Sequence, residues 1–177
     1  MMAFPYGDMF LGLVERYMSV PDMVYLTLAW SHDLRKWHQP PGRQPFIGPD
    51  YPWNRGWSGC SSTSPIQVGN QLWFYFGGRS GAHSHSRNGP PCETGLGLAT
   101  IGVDRFVSLS SDFRPGKLIT KPMKWPGGDL LLNASTTRYL EGHPLDGGGE
   151  MFVEVLDEAG KPVEGFSGEE RAEFKGN

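Results

Sequence analysis

Residues 25–37 read YLTLAWSHDLRKW, and residues 95–109 read GLGLATIGVDRFVSL. The two stretches share a Leu-x-Leu-Ala core, at Leu26, Leu28 and Ala29 in one and at Leu96, Leu98 and Ala99 in the other. Each runs into a short turn holding an aspartate, Asp33 or Asp104. Apolar side chains at every second position describe a β-strand, because alternate residues of a strand point to the same face. A strand unit that recurs at this spacing, with turns between, is the mark of a propeller blade.

Outward from these two strands the pattern stays β. MFLGLVERYM (9–18) and MVYLTLAWS (23–31) read as successive strands, followed by a short one around KWHQP. SSTSPIQV (61–68), the turn GN and QLWFYFGG (71–78) read as a hairpin. TGLGLATI (94–101) and FVSLSS follow, joined by the turn GVDR. Helical periodicity is almost absent. Glycine (25) and proline (15) are abundant and aromatics reach 12%, the composition of many short strands joined by tight turns. Past Pro115-Gly116, GKLITKPMKWPGGDLLLNAS and GEMFVEVLDEAGKPVEGFS alternate apolar and polar residues around β-turns, as antiparallel strands with one wet face do. The expected fold is therefore all-β, with about two antiparallel propeller-like blades over 1–114 and β-sandwich-type strands over 115–177.

A net charge of −3 leaves no basic footprint for nucleic acid. No apolar stretch approaches the ~18 residues of a membrane span. The opening MMAFPYGDMF has neither a charged n-region nor a small-residue cleavage site, so a soluble cytoplasmic protein is expected. Two cysteines, Cys60 and Cys92, do not make a disulfide framework, and Cys60 reads as a buried, inert thiol.

These residues resemble a known group. AWSHDLRKW (29–37) matches the S-x-D-x-x-x-W blade turn of five-bladed β-propeller glycosidases, the clan of glycoside hydrolase families 32, 43 and 68. The run from QLWFYFGG through GKLITKPMKWPGGDLLLNAS to MFVEVLDEAGKPVEGFS is similar to the C-terminal half of family-32-like glycosyl hydrolases. There the last blades pass into a β-sandwich. The resemblance implies a glycosidase removing a terminal sugar (a galactoside, fructoside or arabinoside) by carboxylate acid/base chemistry. It carries over no first-blade acid, because the chain has no matching position. The alternatives are a carbohydrate-binding module without chemistry, or a remnant of a longer enzyme.

If neighbouring strands run up and down in turn, long and short connections sort to opposite rims. The tight turns SHDLRK, VGN and GVDR belong to one rim. The bulky connections RYMSVPDM (16–23), PPGRQPFIGPDYPWNRGWSG (40–59) and GRSGAHSHSRNGPPCETG (78–95) belong to the other, which in the clan faces substrate. On that rim Glu93 is the first choice for the acid, since it follows Pro-Pro-Cys into a strand where desolvation raises a carboxyl pKa. Asp50, Asp22 and, near a strand end, Glu15 are the other carboxylates for the two-carboxyl chemistry of glycoside hydrolysis. Tyr51, Trp53 and Trp57 beside Asn54 and Arg55 form a candidate sugar platform, with rings for stacking and polar groups for hydroxyls; the same tryptophans also suit a plug between blades. His83 and His85, at i and i+2, would point to one side of an extended segment and chelate a divalent ion with Glu93, Asp50 or Cys92, or else sit in a solvated loop. Two blades leave apolar faces bare, so a homo-oligomer with carbohydrate as its ligand is expected.

Overall fold

The computed structural model describes residues 1–60, 63–85, 89–111, 114–140, 143–145 and 148–175, and it is all-β. The strands are β1 (Met2–Tyr6), β2 (Met9–Met18), β3 (Met23–Ser31), β4 (Pro45–Ile47), β5 (Trp57–Cys60), β6 (Ile66–Val68), β7 (Gln71–Arg79), β8 (Thr94–Gly102), β9 (Arg138–Leu140), β10 (His143–Leu145), β11 (Glu150–Val153) and β12 (Ala172–Lys175). Among the described residues helix is confined to single 3-10 turns at Pro41–Arg43, Pro52–Asn54 and Gly168–Glu170. The chain divides into two units, Met1–Phe106 and Val107–Asn177, so the expected boundary falls inside the second.

In the first unit β1, β2 and β3 form an antiparallel meander, with Leu13 opposite Leu28 and Tyr6 opposite Met9 across the Gly7-Asp8 turn. A second meander repeats the plan. β5 and β6 lie along the same edge of β7, as two pieces of one interrupted strand, and β8 covers the other edge from Gln71–Gly102 to Arg79–Thr94. A single parallel step, Val24 beside Trp57, joins the two meanders into an eight-stranded sheet. The two Leu-x-Leu-Ala stretches thus occupy equivalent third strands.

Alternation decides what is buried. Phe4, Leu11, Leu13, Leu26 and Leu28 come from one face of the first meander, and Leu72, Phe74 and Phe76 from one face of the second; they form a single core. Phe74 is its hub, edge-on to Phe4, Phe46 and Phe106 at 6.1, 5.6 and 6.2 Å. The outer face of the first meander is closed by the chain's own return segment. The Trp37 ring lies over Gly12, and Gln39 Nε2 donates to Thr27 Oγ1 at 3.2 Å, leaving Thr27, Ala29 and Ser31 buried.

Several expected strands differ. KWHQP contributes one bridge, Trp30 with His38, and the place of a fourth strand on β3 is shared with β4. FVSLSS forms no ladder among the described residues. In the second unit β9 pairs β10 and β11 pairs β12 as two short antiparallel ribbons, and the stretch 116–135 is irregular. The turn at Asp157–Gly160 is present, with Asp157 Oδ1 accepting from Ala159 N and Lys161 N. Ser61 and Ser62 of the expected hairpin lie outside the described residues, as does the side chain of Cys60. Among the described residues no helix is long and apolar enough to cross a membrane.

Candidate functional site

Strand direction sorts the connections as their lengths suggest. The β2–β3 connection, the segment leading into β5 and the β7–β8 connection meet at one rim. His83 N donates to Asp22 O at 2.9 Å, Val24 N to Gly56 O at 3.1 Å, and Gly56 N to Arg79 O at 3.1 Å. This rim holds an open cleft of about 260 Å³ lined by Glu15, Tyr17, Val24, Trp57, Arg79 and His83.

Each lining group is held by the backbone beneath it. Glu15 follows Leu11 and Leu13 on the inward face of β2, where the strand reaches the rim. Trp57 opens β5 directly opposite Arg79, whose guanidinium stands 5.3 Å from the indole centroid. Arg79 Nη2 donates to His83 O at 2.6 Å, which ties the last residue of β7 to its own loop. Gly59 makes room for the cluster: a Cβ there would stand 2.8 Å from the Trp57 ring and 3.0 Å from Glu15 Oε1. The Tyr17 and His83 rings pack at 4.7 Å.

Asp22 clasps the two connections. Its carboxylate accepts from the Ser84 hydroxyl, from Ser84 N at 3.1 Å and from the Tyr17 hydroxyl at 2.9 Å. These donors, the Ser84 hydroxyl foremost, and the neighbouring His83 hold the Asp22 carboxyl below its usual 3.8, whereas the Tyr17 phenol, donating to that anion, is pushed above its usual 10.0. Since the folded-state value is the lower one, the clasp is complete above the unfolded carboxyl's range and is lost as pH falls through the folded value. The protection of the 80–85 amides, taken relative to the intrinsic exchange rate at each pH, is therefore expected to fall on acidification below about pH 4. In Asp22→Asn the same amides should exchange fast already at neutral pH. Amides equally protected at pH 7 and pH 3 would contradict the clasp.

Of the candidates from sequence, Glu15, Trp57 and His83 line this cleft, and Asp22 borders it through its hydrogen bond with Tyr17. The rest of the expected platform has other work. Asn54 is buried: its side chain accepts from Tyr51 N at 2.9 Å and donates to Gly48 O at 2.9 Å and Ser58 Oγ at 3.2 Å, so it organises the turn instead of meeting solvent. Trp53 stacks on Phe76 at 5.7 Å over the space left by Gly78, Gly95 and Gly97, as an inter-strand plug. Tyr51 is exposed, and Arg55 reaches back to Ser80 O at 3.4 Å. Asp50 is exposed beside Gly48, and Glu93 is exposed at the foot of β8, where its backbone N donates to Ser80 Oγ at 2.9 Å. Neither carboxylate lines the cleft.

The extended geometry expected of residues 83–85 is replaced by a turn, closed by His85 N donating to Ala82 O at 3.0 Å. The turn parts the two imidazoles. His83 packs on Tyr17, while His85 lies over Gly81 beside Cys92. Among the described residues no three His, Cys, Asp or Glu side chains gather to hold a metal ion. Asp33 and Asp104 lie in the turns of the opposite rim as caps: Asp33 Oδ1 accepts from Arg35 N and Lys36 N, and Asp104 exchanges hydrogen bonds with the Tyr6 hydroxyl. Arg79 and Tyr17 were not evident from sequence. Both are rim-end residues of their strands, and counting register to each strand's end is the signal that finds them.

Comparison with family models, with curated proteins and with solved structures finds no match to this chain.

Proposed function

We propose that the protein recognises carbohydrate at the rim cleft. The observation that carries this reading is the meeting of four complementary groups from three strands: Tyr17 of β2 and Trp57 of β5 as rings, Arg79 of β7 as a cation donor and Glu15 of β2 as an acceptor. Rings suit the C–H faces of a pyranose or furanose, and the paired donor and acceptor suit vicinal hydroxyls. Arg79 is held by Trp57 and His83 O before any ligand arrives, so little ordering cost is left for binding.

The test is a titration with galactose-, fructose- and arabinose-based saccharides followed by tryptophan emission. Trp57→Ala is expected to weaken binding by roughly tenfold, the factor that about 1.4 kcal/mol of aromatic contact supplies. A saccharide that binds Trp57→Ala as tightly as the parent would overturn the proposal.

Hydrolysis is the second reading, favoured by one feature: Glu15 and the anionic Asp22 border the same cleft, and glycosidases need two carboxyls around the bond. Asp22, saturated with donors, suits the carboxylate role, which leaves proton donation to Glu15. Turnover of nitrophenyl glycosides, with and without EDTA, that disappears in Glu15→Gln would support this reading, and turnover that survives there would remove it.

A further inference from the structure

The outer face of the second meander is an apolar surface that the first unit leaves open. Register puts Ile66 beside Trp73, Trp73 beside Thr100, Tyr75 beside Leu98, and Gly77 beside Leu96, so these side chains share one side. Their partners on the other side, Leu72, Phe74 and Phe76, fill the core. On the open side Ile66 is 54% exposed, Val68 43%, Tyr75 45%, Leu96 87% and Leu98 45%. Charge is confined to the two ends of the face, Arg79 at the cleft rim and Arg105 over Gly102 at the opposite one.

We propose that this face is covered by the same face of a second copy, in a two-fold dimer. Two nine-residue strands and the three-residue β6, about 4.8 Å apart with about 3.3 Å per residue, give a plan area of roughly 300 Å². Protruding side chains make the accessible area larger, so covering two such faces removes on the order of 1,000 Å² or more, the lower range of specific interfaces. A partner of different chemistry would need something to match, and the stretch between the two terminal arginines offers no charge for it. A flat twisted face is, by contrast, complementary to itself at the usual angle of packed sheets. The chain already packs meander on meander through the opposite side of β7. Head-to-tail stacking on the first meander is blocked, because Trp37 and Gln39 occupy its outer face. An isologous contact remains, and it closes at two copies.

Sedimentation velocity of the full chain across micromolar to hundreds of micromolar concentration tests this. A monomer–dimer equilibrium is expected, and Leu98→Lys, a substitution at a side chain already half-exposed, should raise its dissociation constant at least a hundredfold with the far-ultraviolet dichroism unchanged. Tyr75→Lys provides the same readout should the first variant misfold. Leu131→Lys, at an 87%-exposed leucine of the second unit, should leave the equilibrium where it was. A monomer at every concentration overturns the proposal, as does a dimer or larger assembly indifferent to both lysines on the face, or one dispersed equally by Leu131→Lys.

Discussion

Phe74→Ala is expected to cost about 3–5 kcal/mol, the range for a large aromatic removed from a packed core. Small domains hold about 5–15 kcal/mol in all, so one substitution removes a third or more of the fold's stability. The size follows from position. Phe74 is 3% exposed, and its ring meets three others, Phe4 from β1, Phe46 from β4 and Phe106 beyond β8. Those partners come from both meanders, so no single strand can shift to refill the space. Urea unfolding of the parent and of Phe74→Ala, followed by near-ultraviolet dichroism, measures the loss. A cost below about 1 kcal/mol would mean that the two meanders do not share this core.

The second large effect belongs to Gly56, where fold and site meet. Its N donates to Arg79 O and its carbonyl accepts from Val24 N, so it stitches all three rim connections together. A Cβ placed there would stand 1.9 Å from Gly81 O and 2.4 Å from its carbonyl carbon, far inside contact distance, and the obstacle is backbone. Gly56→Ala must therefore push the β7–β8 connection outward or break the stitches. The cost is about 1–3 kcal/mol for overpacking, and the distance from Trp57 to Arg79 opens with it. Saccharide affinity should fall to background while the core remains folded. Gly77→Ala, in the same sheet with nothing within 4 Å of its added methyl, provides the comparison and should behave as the parent. If Gly56→Ala binds normally, the rim is not the site.

The strands that a reader of the sequence finds are those that are long and bounded by turn residues. β7 alternates buried and exposed side chains, β2 and β8 carry apolar residues at alternate positions, and β3, buried on both faces, reads as a nine-residue run of strand formers, so period and punctuation place them within a residue or two. β1 escapes because it is five residues long with a proline inside it, although it lies on an edge where proline is tolerated. The segment after Gly102 shows the opposite error: FVSLSS alternates like a strand yet pairs with nothing described, since alternation specifies a face and not a partner. The rim loops are harder still. Trp53 looks like Trp57 and Asn54 like Arg55 in composition, and only the fold separates the plug and the turn organiser from the cleft tryptophan and the exposed arginine. One signal for the plug is legible in retrospect, since Gly78, Gly95 and Gly97 clear a slot of one indole's width on adjacent strands. The paired histidines mislead because an i, i+2 spacing makes a chelate only in extended chain, and the Ala82–His85 turn removes that condition.

Hydrogen exchange with and without a saturating saccharide tests the central idea, that the bulky connections form one binding rim. Added protection is expected over residues 15–17, 22–24, 55–57 and 79–84, and nowhere along the opposite rim. Protection appearing instead at 32–36 and 103–105, or absent from 55–57 and 79–84 in a saturated complex, would contradict it.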